Sequence, residues 1–259
     1  MTRALPARLP PGGWRQSAPV RAVIDALSAG GVPCRFVGGC VRDALLGEMP
    51  ADIDIATPLD PAAVMKQARA AGLKTVPTGI DHGTVTVIAD HVPVEVTTLR
   101  RDVETDGRRA TVAFTDDWHE DAARRDFTIN ALYADADGTL FDPVGGLADL
   151  AAGRVRFIGE ARQRLAEDYL RALRFFRFHA RFAEGPADAA ALAAIASARH
   201  ELTRLSAERV AAELLKTLAL PRAPEAIALM AACGVLAVLL PEAEGGGERL
   251  ARLMPLSDD

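Results

Sequence analysis

Apolar and polar positions change period partway along the chain. In the first part, short apolar runs alternate with turn residues. Residues 17–29 read as a helix, "CRFVGG" (34–39) as a strand ending in two glycines, "CVRDALLG" (40–47) as a short helix and "DIDIAT" (52–57) as a strand. "DPAAVMKQARAAG" (60–72) begins with Asp-Pro and stops at a glycine, the start and stop signals of a helix. "GTVTVIAD" and "VPVEVTTLR" alternate with period two and meet at Asp90-His91, which predicts a tight hairpin. Residues 101–117 read as a polar loop, "HEDAARRDFTINAL" (119–132) as a helix and "YADADGTLFDP" (133–143) as a small hairpin with a D-G turn. After about residue 147 every long segment has helical period: "AEDYLRALRFFRFHARF", "DAAALAAIASARHEL", "SAERVAAELLKTLAL" and "APEAIALMAACGVLAVLL". The pattern predicts a mixed α/β unit followed by an all-helical one.

Composition narrows this picture. Of 259 residues, 49% are hydrophobic, enough for a core, and the alanine content favours helix. A net charge of −5 gives no global attraction for nucleic acid, although phosphate contacts need only a local patch. Three cysteines, Cys34, Cys40 and Cys233, form no C-x-x-C pair and fit a reducing compartment, so a cytoplasmic location is expected. No apolar run is long enough for a membrane span, and the N-terminus has no apolar core of a signal peptide. The ending "ARLMPLSDD", after a run of glycines, closes no obvious element, as if the chain stopped inside a larger protein.

The candidate chemistry starts at Asp52 and Asp54. On a strand, residues two apart share a face, so Ile53 and Ile55 are expected in the core and the two carboxylates side by side. Two such charges repel unless a cation sits between them, and a hard divalent ion takes carboxylate oxygens. The plainer reading is a solvated strand edge. Close by, Gly38-Gly39 lies between a strand and a helix, where backbone N–H groups can approach an anion. Arg42 lies in the first turn of that helix, where the dipole disfavours a cation unless it grips phosphate. Glu95, among valines on a neighbouring strand, is either a half-exposed strand residue or a third metal ligand. Arg124, Arg125 and Asp126 read as a charged helix start, either a solvated cluster or a binding group, with Asn130 four residues on from Asp126 and so expected on the same helix face. Farther along, Arg171, Arg174, Arg177 and Arg181 form one basic helical stripe, and Phe175, Phe176, Phe178 and Phe182 read as core. Ser206 reads as a helix N-cap.

Taken together, "GGCVRDALLG…ADIDIAT", "HGTVTVIADHVPVEVTTLR", "RRDFTINAL", "DPVGG", "EDYLRALRFFRF" and "LSAERVAAELLK" resemble, in order, the motifs of the class II tRNA nucleotidyltransferases (CCA-adding enzymes) and the related bacterial poly(A) polymerases. The resemblance implies an α+β fold: a nucleotidyltransferase-type head at 1–147, a helical neck at 148–220 that selects nucleotide and binds RNA, and the start of a truncated helical body at 221–259. It implies that Asp52 and Asp54 hold Mg²⁺, with Glu95 as the third catalytic carboxylate, and that Gly38, Gly39 and Arg42 hold the triphosphate. Arg125, Asp126 and Asn130 would meet the ribose. Glu167, Asp168 and Arg171, supported by Arg174, would form a protein template that accepts the exocyclic amine of cytosine or adenine. Arg177 would meet RNA, and Glu208 and Arg209 would support the neck. The loop residues Asp106–Arg109, "DGRR", resemble the family's flexible loop. The implied partners are tRNA, CTP and ATP, with no membrane. The implied activity is CCA addition; ATP-only addition is the second reading and a non-catalytic RNA-binding fragment the third.

Overall fold

The strictest period-two stretch of the chain, residues 84–98, supplies two interior strands of the main sheet. Up to residue 151 the order is α1 (Ala18–Leu27), β1 (Arg35–Val37), α2 (Gly39–Leu45), β2 (Asp54–Thr57), α3 (Pro61–Ala70), β3 (Lys74–Gly79), β4 (Thr84–Ala89), β5 (Val92–Thr98), β6 (Arg100–Thr105), β7 (Ala110–Phe114), α4 (Trp118–Ala123), β8 (Tyr133–Ala134), β9 (Leu140–Phe141) and α5 (Gly146–Ala151). This is a computed structural model, and it describes residues 3–11, 13–105 and 110–243. It divides into two units, one made of residues up to Glu104 together with Thr111–Ala151, the other from Ala152 onward. The architecture is α+β.

The main sheet has seven strands in the order β3-β4-β5-β2-β1-β8-β9. Only β2 and β5 run parallel; the other pairs are antiparallel. The β4–β5 turn uses Asp90 and His91 at φ 45° and 64°, the paired positive values of a turn that matches strand twist. Val85, Val87, Val94 and Val96 are fully buried, and α1 and α3 pack on β4 and β5 through Val20, Val23, Ile24, Leu27, Val64 and Ala68. Each buried Val, Ile or Leu among them contributes about 1.5–3 kcal/mol by leaving water. Asp60 caps α3 by accepting the Ala63 N–H at 2.7 Å.

Three segments of this unit differ from the expected pattern. β3 was not expected: "KTVPTG" is an edge strand, half-solvated on both faces and interrupted by an irregularity around Pro77, so it shows no apolar alternation. Within the expected loop 101–117, residues 101–105 and 110–114 are strand, because β6 and β7 form a two-stranded ribbon. The predicted helix 119–132 stops at Ala123, and only Thr128–Asn130 turns again, as a 3₁₀ turn. Asp126 accepts the N–H of Phe127 at 2.8 Å, a local bond that competes with helix.

In the second unit the order is α6 (Ala161–Glu167), α7 (Leu170–Phe182), α8 (Ala189–Ala198), a 3₁₀ turn at Arg199–Arg204, α9 (Ala207–Leu218), α10 (Ala223–Ala232) and α11 (Val235–Leu239). Phe175, Phe176, Phe178 and Phe182 are buried, as their spacing predicted, and α7 packs on α9 and α10. The expected single helix from Ala166 to Phe182 is two helices. Asp168 is extended, at φ −156° and ψ 106°, and its Oδ1 accepts the Leu170 N–H at 3.1 Å. A short acid bonding its own backbone restarts the helix there with no proline or glycine. The last predicted helix is likewise broken by Gly234 at φ 71°. Ser206 stands at the N-cap of α9, but its side chain makes no capping bond. No helix among the described residues is long and apolar enough to cross a membrane. The segment "DGRR" and residues 244–259 lie outside the described residues.

Candidate active site

Parallel pairing of β2 and β5 sets Asp54 directly opposite Glu95. β5 alternates so that Val94 and Val96 point into the core and Glu95 is exposed. Asp52 is not on the strand: it lies in a bend just before β2, exposed, and Ile53 is only half-buried. Burial, then Glu95, push the Asp54 carboxyl up to about 6; Arg125 opposes the rise and Asp52 adds to it. A cation would relieve this crowding of like charge, and an all-oxygen donor set suits a hard divalent ion. As the side chains stand, no three His, Cys, Asp or Glu groups converge closely enough to hold one among the described residues. Beneath Asp54 lies Cys40, whose thiol burial pushes up to about 12, so it stays neutral.

Gly38 joins β1 to α2 at φ 74° and ψ −124°, a region that glycine alone enters freely. A Cβ there would come 3.5 Å from Arg125 Nη1 and from the Asn130 carbonyl, so the turn abuts both residues. Arg42, expected at the triphosphate, lies in a buried network in this structure. It is 6% exposed and donates to Asp43 Oδ1, through Nε at 2.9 Å and Nη2 at 2.8 Å, and through Nη1 to Asn130 Oδ1. Asn130 Nδ2 in turn donates to Asp126 Oδ1 at 2.9 Å. Asp43, Arg42, Asn130 and Asp126 thus form one buried chain of charge-assisted bonds. Asp126 and Asn130 meet without sharing a helix, because the 3₁₀ turn folds one onto the other.

Sequence reasoning passed over Asp121 and Tyr133. Asp121 is fully buried; its Oδ1 accepts from Arg124 and its Oδ2 from Arg125 Nη2 at 3.1 Å and from the Tyr133 hydroxyl at 2.7 Å. Burial alone would raise its carboxyl, but Arg125, Arg124 and the Tyr133 hydroxyl hold it well below the usual carboxylate range. The available signal was an acid three and four residues before two arginines.

In the helical unit the expected template residues find other partners. Arg171 pairs with Glu167 and donates to the Arg164 carbonyl at 3.0 Å. Asp168, expected beside Arg171, accepts from Arg209 at 2.7 Å instead. Arg177 donates to Glu213 Oε2 at 2.6 Å, and Arg174 comes within 4.0 Å of the same carboxylate, which is 4% exposed. Both guanidinium groups lie over the Phe178 ring.

Residues 34–156 match the family model described as the poly A polymerase head domain, and residues 188–245 match that of a probable RNA and SrmB-binding site of polymerase A. The mitochondrial CCA tRNA nucleotidyltransferase 1 of Mus musculus is 48% identical over 187 residues, 71% of this chain and 43% of that protein. The CCA-adding enzyme of Geobacillus thermodenitrificans is 40% identical over 232 residues, 89% of this chain and 56% of that protein. The solved structure of the Bacillus stearothermophilus CCA-adding enzyme in complex with CTP superposes with a TM-score of 0.76 at 38% identity, covering 86% of this chain and 54% of that one. The chain therefore spans about half the length of the relatives it matches.

Proposed function

This chain belongs to the tRNA nucleotidyltransferase and poly(A) polymerase family, and from that premise we propose that it adds C, C and A to the 3′ end of tRNA from CTP and ATP, releasing pyrophosphate. The observation that carries the reading is the in-register pair Asp54–Glu95 beside the Gly38 turn, with the Asp54 carboxyl pushed up by burial and then by the like charge of Glu95. Asp52, Asp54 and Glu95 would hold Mg²⁺, which when bound lowers the pKa of the attacking 3′-hydroxyl and neutralises triphosphate charge. The Gly38 turn lets the start of α2 approach the triphosphate. Arg125, Asp126 and Asn130 present donors and acceptors to the ribose, and Arg42 holds Asn130 in place. In the second unit, Asp168 supplies the acceptor for an exocyclic amine, Arg209 orients it, and Glu167 with Arg164 fixes Arg171. Arg174, next to Glu213, supports the same helix face.

The test is incorporation of each labelled nucleotide into tRNA ending before CCA, after the first C and after CC. CTP addition followed by a single ATP addition is expected, and it should vanish in Asp52→Ala and Asp54→Ala with the fold intact. ATP alone added to many RNAs would make the chain a poly(A) polymerase. No incorporation of any nucleotide would leave an RNA-binding fragment.

A further inference from the structure

Asp121 divides its two oxygens between two tasks. Oδ1 accepts from Arg124 Nε at 3.0 Å and Nη2 at 2.7 Å and from the Arg100 N–H at 3.3 Å, while Arg124 Nε also donates to the Arg100 carbonyl at 3.0 Å. That half ties α4 to the root of β6. Oδ2 accepts from Arg125 Nε at 3.3 Å and Nη2 at 3.1 Å and from the Tyr133 hydroxyl at 2.7 Å. The Tyr133 oxygen in turn accepts from Arg125 Nε at 3.3 Å, and the guanidinium carbon lies 5.4 Å from the Tyr133 ring centre. Trp118 packs edge-on against that ring, so the tyrosine is itself held.

One edge of the Arg125 guanidinium is therefore gripped, and the opposite one is not. Nη1 has no hydrogen-bond partner among the described residues and stands 3.5 Å from where a Cβ of Gly38 would be. A long side chain aimed at a glycine turn without support would sample several rotamers and lose affinity for whatever it meets. A planar guanidinium held along one edge keeps the other edge aimed.

We propose that Asp121, with Tyr133, is a positioning residue that fixes the free edge of Arg125 toward the Gly38 turn and so sets nucleotide affinity. This rests on the nucleotidyl-transfer reading above. The Oδ1 half supports the ribbon root and leaves nucleotide affinity largely untouched.

The experiment measures CTP and ATP binding to the 259-residue chain by equilibrium titration with Mg²⁺. The variants are Asp121→Asn, Tyr133→Phe and Arg124→Gln, with melting curves for each and guanidinium NMR of Arg125 without nucleotide. Asp121→Asn should weaken binding about tenfold and Tyr133→Phe by about threefold, as a charge-assisted contact is loosened, while Arg124→Gln changes it less than about twofold. KM should carry the loss rather than kcat at saturating nucleotide, and the Arg125 Nε–H signal should broaden in the first two variants only. If Asp121→Asn fails to fold, Tyr133→Phe, which deletes one hydroxyl, decides by the same criteria. A folded Asp121→Asn or Tyr133→Phe chain with unchanged affinity and an unchanged Arg125 signal overturns the proposal alone. A wild-type chain that binds neither CTP nor ATP overturns the reading beneath it as well.

Discussion

Asp54 and Glu95 face each other in register on adjacent parallel strands, and Asp54 carries the cost. Its carboxyl sits near 6 against an ordinary 3.8, so the fold disfavours the ionised form. The resulting destabilisation is present above the raised value and disappears as pH falls through it to below the ordinary one. In EDTA, Asp54→Asn should therefore stabilise the chain by on the order of 1–3 kcal/mol at about pH 7.5, and by almost nothing at about pH 3. Mg²⁺ should raise the melting temperature of the wild-type chain and leave Asp54→Asn unmoved. Melting curves across that pH range, with and without Mg²⁺, check both statements. A wild-type chain insensitive to Mg²⁺ would remove the metal role from Asp54.

Two glycines near the site separate fold from chemistry. A Cβ on Gly146 would come 2.2 Å from the Thr128 carbonyl oxygen. Neither side can yield easily: Asp142 accepts the Gly146 N–H at 2.8 Å, and the Thr128 hydroxyl donates to buried Asp149 at 2.7 Å. Gly146→Ala should cost about 3 kcal/mol of stability through overpacking against backbone. A Cβ on Gly38 meets only ordinary contacts, at 3.5 Å, but the backbone conformation opposes it. Gly38→Ala should cost about 2 kcal/mol by strain and reduce nucleotide incorporation far more than its melting temperature suggests. Denaturant unfolding and incorporation assays on the two variants give the ordering.

These positions show how far the sequence carried and where it stopped. The central strands and the buried phenylalanines were legible because alternation and helical spacing record which face is buried, whereas Asp52, expected beside Asp54 on one strand face, lies in the bend before β2. β3 left no such record, since an edge strand solvated on both faces has no buried side to encode. The break at Asp168 was hidden because helical period continues across it; only the side-chain bond to the Leu170 N–H and the reach to Arg209 reveal it. The partners of Arg42 were not legible, because one is the adjacent residue, Asp43, and the other, Asn130, lies 88 positions away in sequence. Asp121 was visible only as one acid among many charges, although burial makes it the one to which both arginines bind.

Glu213 should behave as a structural carboxylate shared by two arginines. It is 4% exposed and Arg177 reaches it at 2.6 Å with its own side chain 15% exposed. Glu213→Gln leaves a guanidinium largely out of water without its counter-charge and should cost about 3 kcal/mol. Arg177→Met should cost a similar amount for the converse reason, and the double variant should lose clearly less than the sum of the two. Urea unfolding of the four chains closes the cycle. Additive losses would mean that the pair is not coupled, and Arg177 would then be free to meet RNA as its place in the basic stripe first implied.

Asp168 and Arg209 should control selection without holding the fold. Their bond is 2.7 Å long, but the side chains are 28% and 32% exposed, so the pair contributes about 1 kcal/mol or less. Asp168 Oδ1 already serves the Leu170 N–H, which leaves the oxygen facing Arg209 to meet an incoming base. Asn can still accept the Leu170 N–H, so Asp168→Asn keeps the helix start. It turns one acceptor into a donor, which should lower CTP and ATP incorporation and raise UTP and GTP relative to them by about tenfold or more. Arg209→Ala frees the carboxylate to rotate and should blur selection in the same direction, more weakly. The readout is the ratio of kcat/KM values for the four nucleotides, measured beside a melting curve that moves by little. If Asp168→Asn remains folded and rejects UTP and GTP as strongly as the wild-type chain, Asp168 does not read the base.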